Sequence, residues 1–132
     1  MKHDRWLYLS LDEVLLLHKK EIARFGGSSG VRDNGLLLSA LGQAELFLFG
    51  ELVYKNAYEI AAMYVYHIIK NHPFIDGNKR TGILAGLVFL RINNLDLITN
   101  NEELYAFAMD IAASRITKDS VIEFFKHRVC SN

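Results

Sequence analysis

Two apolar runs joined by a short charged stretch constrain the fold of this chain more than any other feature. The first, Ala57–Asn71, carries Ile60, Ala61, Tyr64, Val65 and Ile68 at spacings of three and four, the repeat of a helix with a buried face. The second, Thr81–Asn93, is rich in Leu, Ala and Gly and apolar nearly all round. A helix of that kind belongs at the centre of a bundle, covered by others. Gly82 and Gly86, four apart within it, let another backbone approach closely. Between the runs lies His72-Pro73-Phe74-Ile75-Asp76-Gly77-Asn78-Lys79-Arg80, which contains the only proline of the protein. Pro73 disfavours α geometry at His72, so the first helix should end at Asn71 or His72 and leave the imidazole at a helix terminus, free to face a cleft. An imidazole, a carboxylate, an amide and two cations are costly to place between core helices. The stretch is therefore the candidate site.

The remaining segments read as helices that cover this pair. Ser10 with Glu13 three residues on forms a capping box and opens a helix whose apolar stripe is Val14, Leu15, Leu17, Ile22 and Phe25, with His18, Lys19, Lys20 and Glu21 mostly on the wet side. Gly26-Gly27 stops it. A second helix begins at about Leu36, capped by Asp33 or Asn34. Phe47–Tyr54 suits a loop or a short extended pair lying over the core. Asn93-Asn94 is a left-handed stop, and Leu95–Thr99 is a short connection. Glu102–Ser114 and Asp119–Val129 are two further amphipathic helices, the last capped by Thr117. The expected fold is a single all-α domain over residues 1–132, a bundle of about six helices with a possible β-hairpin.

Composition narrows the function. Fifteen basic and fifteen acidic residues leave no net charge, which argues against a general nucleic-acid or membrane-surface binder. One cysteine, Cys130, offers neither an intrachain disulfide nor a thiolate metal site and suits a reducing, cytoplasmic setting. No signal-like segment opens the chain, and no apolar run is long enough to span a membrane.

The chemistry of the central stretch follows from residue types. Gly77-Asn78-Lys79-Arg80 starts a helix, where unpaired N–H groups and the positive pole attract anions. Cations in a first helical turn oppose the dipole unless an anion lies between them, so Lys79 and Arg80 point to a phosphate cradle. Gly77 permits close backbone approach and Asn78 adds a neutral donor. A carboxylate beside bound phosphate would be repelled unless a divalent cation separates them, and Mg²⁺ typically combines one or two carboxylates with phosphate oxygens; that assigns Asp76. His72 is a proton acceptor near neutral pH. Taken singly, each of these residues has an ordinary explanation as a cap, a turn or a solvated face. Together they suit transfer of a phosphorus group to a hydroxyl.

His72–Arg80 resembles the signature of the Fic/Doc family, H-P-F-x-D/E-G-N-G/K-R, at every position. Gly30-Val31-Arg32-Asp33-Asn34-Gly35-Leu36-Leu37-Leu38-Ser39-Ala40-Leu41 is similar to a stretch found upstream in Doc-type members, G-x-R-D-x-G-L-L-x-S-A-L. The resemblance implies a Fic-type helical core. It implies His72 as the base on the target hydroxyl, Asp76 as the Mg²⁺ ligand, and Gly77, Asn78, Lys79 and Arg80 as holders of the ATP phosphates. It also implies Phe74 as the anchor of the loop, and the segment around Phe47–Tyr54 as a flap that positions the target. Adenylyl-transferring members have Gly in place of Lys79 and a second Arg in place of Ile83. The Doc-like pattern here implies γ-phosphate transfer to a Ser/Thr hydroxyl of elongation factor Tu, blocking translation; adenylyl or other nucleotidyl transfer is the alternative. The chain lacks the self-inhibitory S/T-x-x-x-E-G/N helix, which implies restraint by a separate Phd-type antitoxin docking in a hydrophobic groove near the first helices.

Other polar residues read as structural. His67 suits a core or supporting role, His3, His18 and His127 the surface, and Arg32-Asp33 a loop-ordering salt bridge or cap. Cys130 reads as an incidental residue of the C-terminal tail.

Overall fold

The computed structural model describes residues 5–132; the surface placement of His3 lies outside them. Six helices and two small antiparallel strand pairs follow in the order α1 (Leu11–Phe25), α2 (Asn34–Ala44), β1 (Phe47–Leu48), β2 (Glu51–Leu52), α3 (Ala57–Asn71), α4 (Asn78–Ile92), β3 (Leu95–Leu97), α5 (Asn101–Ala112), α6 (Lys118–Lys126) and β4 (Val129–Ser131). The fold is all-α, as expected, and the ambiguous aromatic segment is the hairpin β1–β2, with Phe47 opposite Leu52.

The pair α3–α4 is the centre, and α1, α2, α5 and α6 pack around it. α3 buries Ile60, Ala61, Ala62, Met63, Tyr64, Val65 and Ile68 completely. The two helices run antiparallel at a separation only glycine allows. A Cβ on Gly86 would lie 2.5 Å from Val65 Cγ2 and 3.3 Å from the Ala61 carbonyl, and one on Gly82 would lie 2.9 Å from Ile69 Cγ1. Close packing of this kind fixes the ends of α3 and α4 relative to each other, and those ends carry the central loop.

Helix starts follow the capping signals. Ser10 accepts from the Glu13 N–H while Glu13 accepts from the Ser10 N–H, and Asp33 and Thr117 cap α2 and α6. The C-terminal third differs from expectation. α6 stops at Lys126 rather than Val129, because Val129–Ser131 turns back as β4 to pair with β3, Leu97 opposite Val129. Leu95–Thr99 is therefore partly a strand, and Cys130 sits in the ladder opposite Asp96. Asn94 takes the left-handed conformation at φ 64°, turning the chain from α4 into β3.

Candidate functional site

His72 ends α3 in the left-handed region, at φ 51° and ψ 53°. Pro73 keeps it out of right-handed helix as the sequence requires, and the imidazole is exposed. A non-glycine residue held there costs about 1–2 kcal/mol, so neighbours must offset the cost. They come from the α1–α2 connector. Arg32 donates from Nε to the His72 carbonyl (2.7 Å) and from Nη2 to the Asn71 carbonyl (3.1 Å). The N–H groups of Arg32 and Asp33 both donate to the Pro73 carbonyl, at 2.7 and 3.0 Å. A guanidinium at a helix C-terminus also complements the dipole. Arg32 thus orders the loop through backbone carbonyls rather than through a salt bridge, while Asp33 accepts from the Leu36 N–H at 3.0 Å as the cap of α2.

The connector continues antiparallel beside the loop. Val31 forms a bridge with Phe74, and the Ile75 N–H donates to the Gly30 carbonyl at 3.1 Å. Phe74 is fully buried, the anchor anticipated for it, and His18 of α1 stacks on its ring at 3.8 Å and 7°. The surface reading of His18 is corrected here: it is only 4% exposed. Its Nε2 lies 2.8 Å from the Asp76 carbonyl, and because a carbonyl only accepts, Nε2 carries the proton and donates. The amide of Asn78 closes the loop from the other side, accepting from the Phe74 N–H (2.9 Å) and donating to the Phe74 carbonyl (3.0 Å). With its oxygen and one amide hydrogen engaged by Phe74 and the residue 4% exposed, the Asn78 side chain closes the loop, while its backbone N–H stands in the open first turn of α4.

Asp76 is exposed on the same loop. Its Oδ2 accepts from the Ser28 N–H at 3.2 Å and Oδ1 from the Gly77 N–H at 2.8 Å. These two bonds, from Ser28 first, hold its pKa below the ordinary carboxylate value, helped by the charges of Arg80 and Lys79. The carboxylate is ionised at neutral pH and keeps a spare lone pair on each oxygen. That fits Mg²⁺, whose remaining ligands would be phosphate oxygens and water. Gly27 makes the arrangement possible. A Cβ there would lie 2.6 Å from Asp76 Oδ2, and the residue takes φ 114°.

α4 begins at Asn78, slightly earlier than expected, with Gly77 as its N-cap at φ 77° and no capping side chain. The N–H groups of Asn78, Lys79 and Arg80 have no partner within the helix, since the first such bond runs from Thr81 to the Gly77 carbonyl. No acidic residue stands in that turn. The structure brings His72, Asp76, Gly77, Asn78, Lys79 and Arg80 together around one cavity of about 140 Å³, closed by Ile69 and Ala112. Arg80 leans towards α1, donating to the Gly26 carbonyl at 3.1 Å, with Glu21 4.0 Å away and the Phe25 ring beneath its guanidinium. Lys79 and Arg80 also border a larger, mostly apolar groove of about 680 Å³ between α1, α4 and α5, lined by Phe25, Ile83, Leu84 and Tyr105 among others.

His67 is not part of this cavity. Its Nε2 is buried without a hydrogen-bond partner, and burial, aided by the charge of Lys118, pulls its pKa down to about 4; it has a structural place, as anticipated. His127 is exposed and pairs with Glu123. Among the described residues no cluster of three or more His, Cys, Asp or Glu could hold a metal, and no helix is long and apolar enough to cross a membrane. Sequence reasoning missed three contributors: His18, the carbonyl contacts of Arg32, and Gly27. Only Arg32 left a trace, through the motif it shares with Asp33.

The Fic/DOC family model matches residues 8–90, which span α1 through most of α4 and include every residue of the central stretch. The chain is 29% identical over 116 residues to the "Protein kinase doc" of Escherichia phage P1, covering 88% of this chain and 90% of that protein. It is 36% identical over 90 residues to the "Toxin Doc" of Mycolicibacterium smegmatis, covering 68% and 67%. The fold, the loop and these matches agree, and the chain belongs to the Fic/DOC family, on the side of its Doc toxins.

Proposed function

We propose that this protein is a toxin kinase that transfers the γ-phosphate of Mg-ATP to a Ser/Thr hydroxyl of a bacterial translation protein, elongation factor Tu. The observation that carries this reading is the single cavity into which His72, the Asp76 carboxylate and the open first turn of α4 converge. Similarity to a relative named as a protein kinase supports the same class of reaction.

In this mechanism His72, left outside the helix, accepts the proton of the target hydroxyl. The hydroxyl oxygen forms its bond to the γ-phosphorus as the bond from that phosphorus to the β–γ bridging oxygen breaks, and ADP leaves with the electron pair. Lys79, Arg80 and the N–H groups of Asn78 to Arg80 hold the phosphates and meet the charge developing on them. Asp76 would hold Mg²⁺, which when bound would neutralise phosphate charge. Two residues favour γ- over α-phosphate chemistry. Lys79 places a cation in the first turn. Ile83, one turn along α4, presents an alkyl chain to the groove where adenylyl-transferring members of the family have arginine.

The groove between α1, α4 and α5 is the proposed seat of a Phd-type antitoxin helix. It is mostly apolar, with three cations, Arg24, Lys79 and Arg80, against one carboxylate, Glu21, among its lining residues, so an amphipathic helix with an acidic edge would complement its net positive border. Two of those cations also hold phosphate, and antitoxin binding should weaken ATP binding. The proposed setting is the cytoplasm, where the target resides.

The test incubates the protein with Mg²⁺, a bacterial lysate and ATP labelled at either the α or the γ phosphate. Label should reach a protein of elongation-factor size from γ-labelled ATP alone and vanish in His72→Ala. Label from the α position would make the protein an adenylyltransferase.

A further inference from the structure

We propose that Arg32 is a positioning residue for His72, setting the direction in which the imidazole meets the target hydroxyl; this rests on the reading of His72 as the base. Three consecutive carbonyls at the end of α3, those of Asn71, His72 and Pro73, accept four hydrogen bonds from only two residues, Arg32 and Asp33. The guanidinium straddles the first two, with Nε on His72 and Nη2 on Asn71. A planar fork matches that pair of acceptors, and a lysine ammonium, a single point of charge, does not.

Arg32 has little else to do. Among the described residues it makes no ion pair within 4.0 Å, and its charge is directed at the carbonyl end of a helix. His72 in turn has no other polar guide among the described residues. No hydrogen bond or ring stack reaches its imidazole there; its hydrogen bonds run through the main chain. The backbone state at φ 51° and ψ 53° sets where the Cα–Cβ bond points and restricts the rotamers open to the ring, and the residue would leave that state readily without support. The α4 end of the loop is held separately, by Asn78 and His18. Loss of Arg32 should consequently disturb the base and spare the phosphate cradle.

The experiment compares the full-length wild type with Arg32→Ala and Arg32→Lys. Misdirecting a catalytic group by a fraction of an ångström to an ångström costs about tenfold to a hundredfold in rate, so kcat should fall by that factor in Arg32→Ala. KM for Mg-ATP should stay within about twofold, as for a group that acts on the reacting step and not on nucleotide binding. Arg32→Lys should restore little, and added guanidinium ion should recover part of the Arg32→Ala loss. A rise in KM with kcat unchanged, or full recovery with lysine, overturns the proposal. A second readout does not depend on activity. In Arg32→Ala the ¹³C carbonyl resonances of Asn71 and His72 should move upfield as they lose their donors, and the His72 ring resonance should shift with them. A ring resonance unmoved by the substitution refutes the positioning role even if the rate falls. Should the wild type transfer no label, the kinase reading has failed, and these resonances still decide whether Arg32 orients His72.

Discussion

Replacing Asn78 by alanine separates two roles that the sequence cannot distinguish, ligand contact and loop closure. In the structure both ends of the amide are bonded to the main chain of Phe74, a fully buried residue. Asn78→Ala leaves one buried N–H and one buried carbonyl unpaired, each costing about 1–3 kcal/mol. Partial relaxation of the loop brings the expected sum to about 2–4 kcal/mol, a large share of the roughly 5–15 kcal/mol by which a domain of this size is folded. For a chain of this length that lowers Tm by roughly 6–15 °C, readable by circular dichroism with no nucleotide present. Asn78→Asp adds a sign. One oxygen can still accept from the Phe74 N–H, but the other faces the Phe74 carbonyl, which favours the protonated acid and raises its folded-state pKa. The stability of that variant should be greatest at low pH and fall as pH rises through the raised value. If Asn78→Ala melts within a degree or two of wild type yet no longer binds ATP, the amide acts on the nucleotide and its assignment as a loop staple is wrong.

Further predictions follow from single contacts. In Gly27→Ala the new methyl would lie 2.6 Å from Asp76 Oδ2, so the carboxylate must move; Mg²⁺-dependent transfer should be lost, and Mg²⁺ titration by calorimetry in the presence of a non-hydrolysable ATP analogue should show weakened binding. Gly86→Val should force α3 and α4 apart, because even a Cβ meets Val65 Cγ2 at 2.5 Å, and overpacking of this kind costs about 1–3 kcal/mol by thermal melting. His67, with a pKa pulled from 6.5 down to about 4, binds its proton more readily unfolded than folded. Its contribution to stability is therefore complete above pH 6.5 and is lost as pH falls from there towards 4; His67→Gln should flatten that part of a urea-melt pH profile.

Most of the helical frame is legible in the sequence because periodicity and capping are local. Ser10 with Glu13, Asp33, Thr117 and the apolar stripe of α3 all act within a turn or two, and Pro73 acts on the residue before it. The site is legible for the same reason, since His72 to Arg80 are contiguous and lie at the joint of two helices. What escaped depends on distance along the chain. His18 sits beside two lysines on α1 and looks wet, but its ring is buried against Phe74, 56 positions away. Asn78 reads as a ligand donor in the sequence, and only the fold shows that its amide also staples the main chain of Phe74. The pairing of Leu95–Leu97 with Val129–Ser131 involves strands of three residues, too short for an alternating pattern to declare itself. Arg32 left a motif but not its purpose, because its acceptors are backbone carbonyls, which carry no sequence signal.

The most direct test of the central claim is the intact mass of purified elongation factor Tu after incubation with this protein and Mg-ATP. The account predicts a gain of one phosphoryl group, absent with His72→Ala. A gain of an adenylyl group, or an unchanged mass alongside folded, ATP-binding protein, would contradict it.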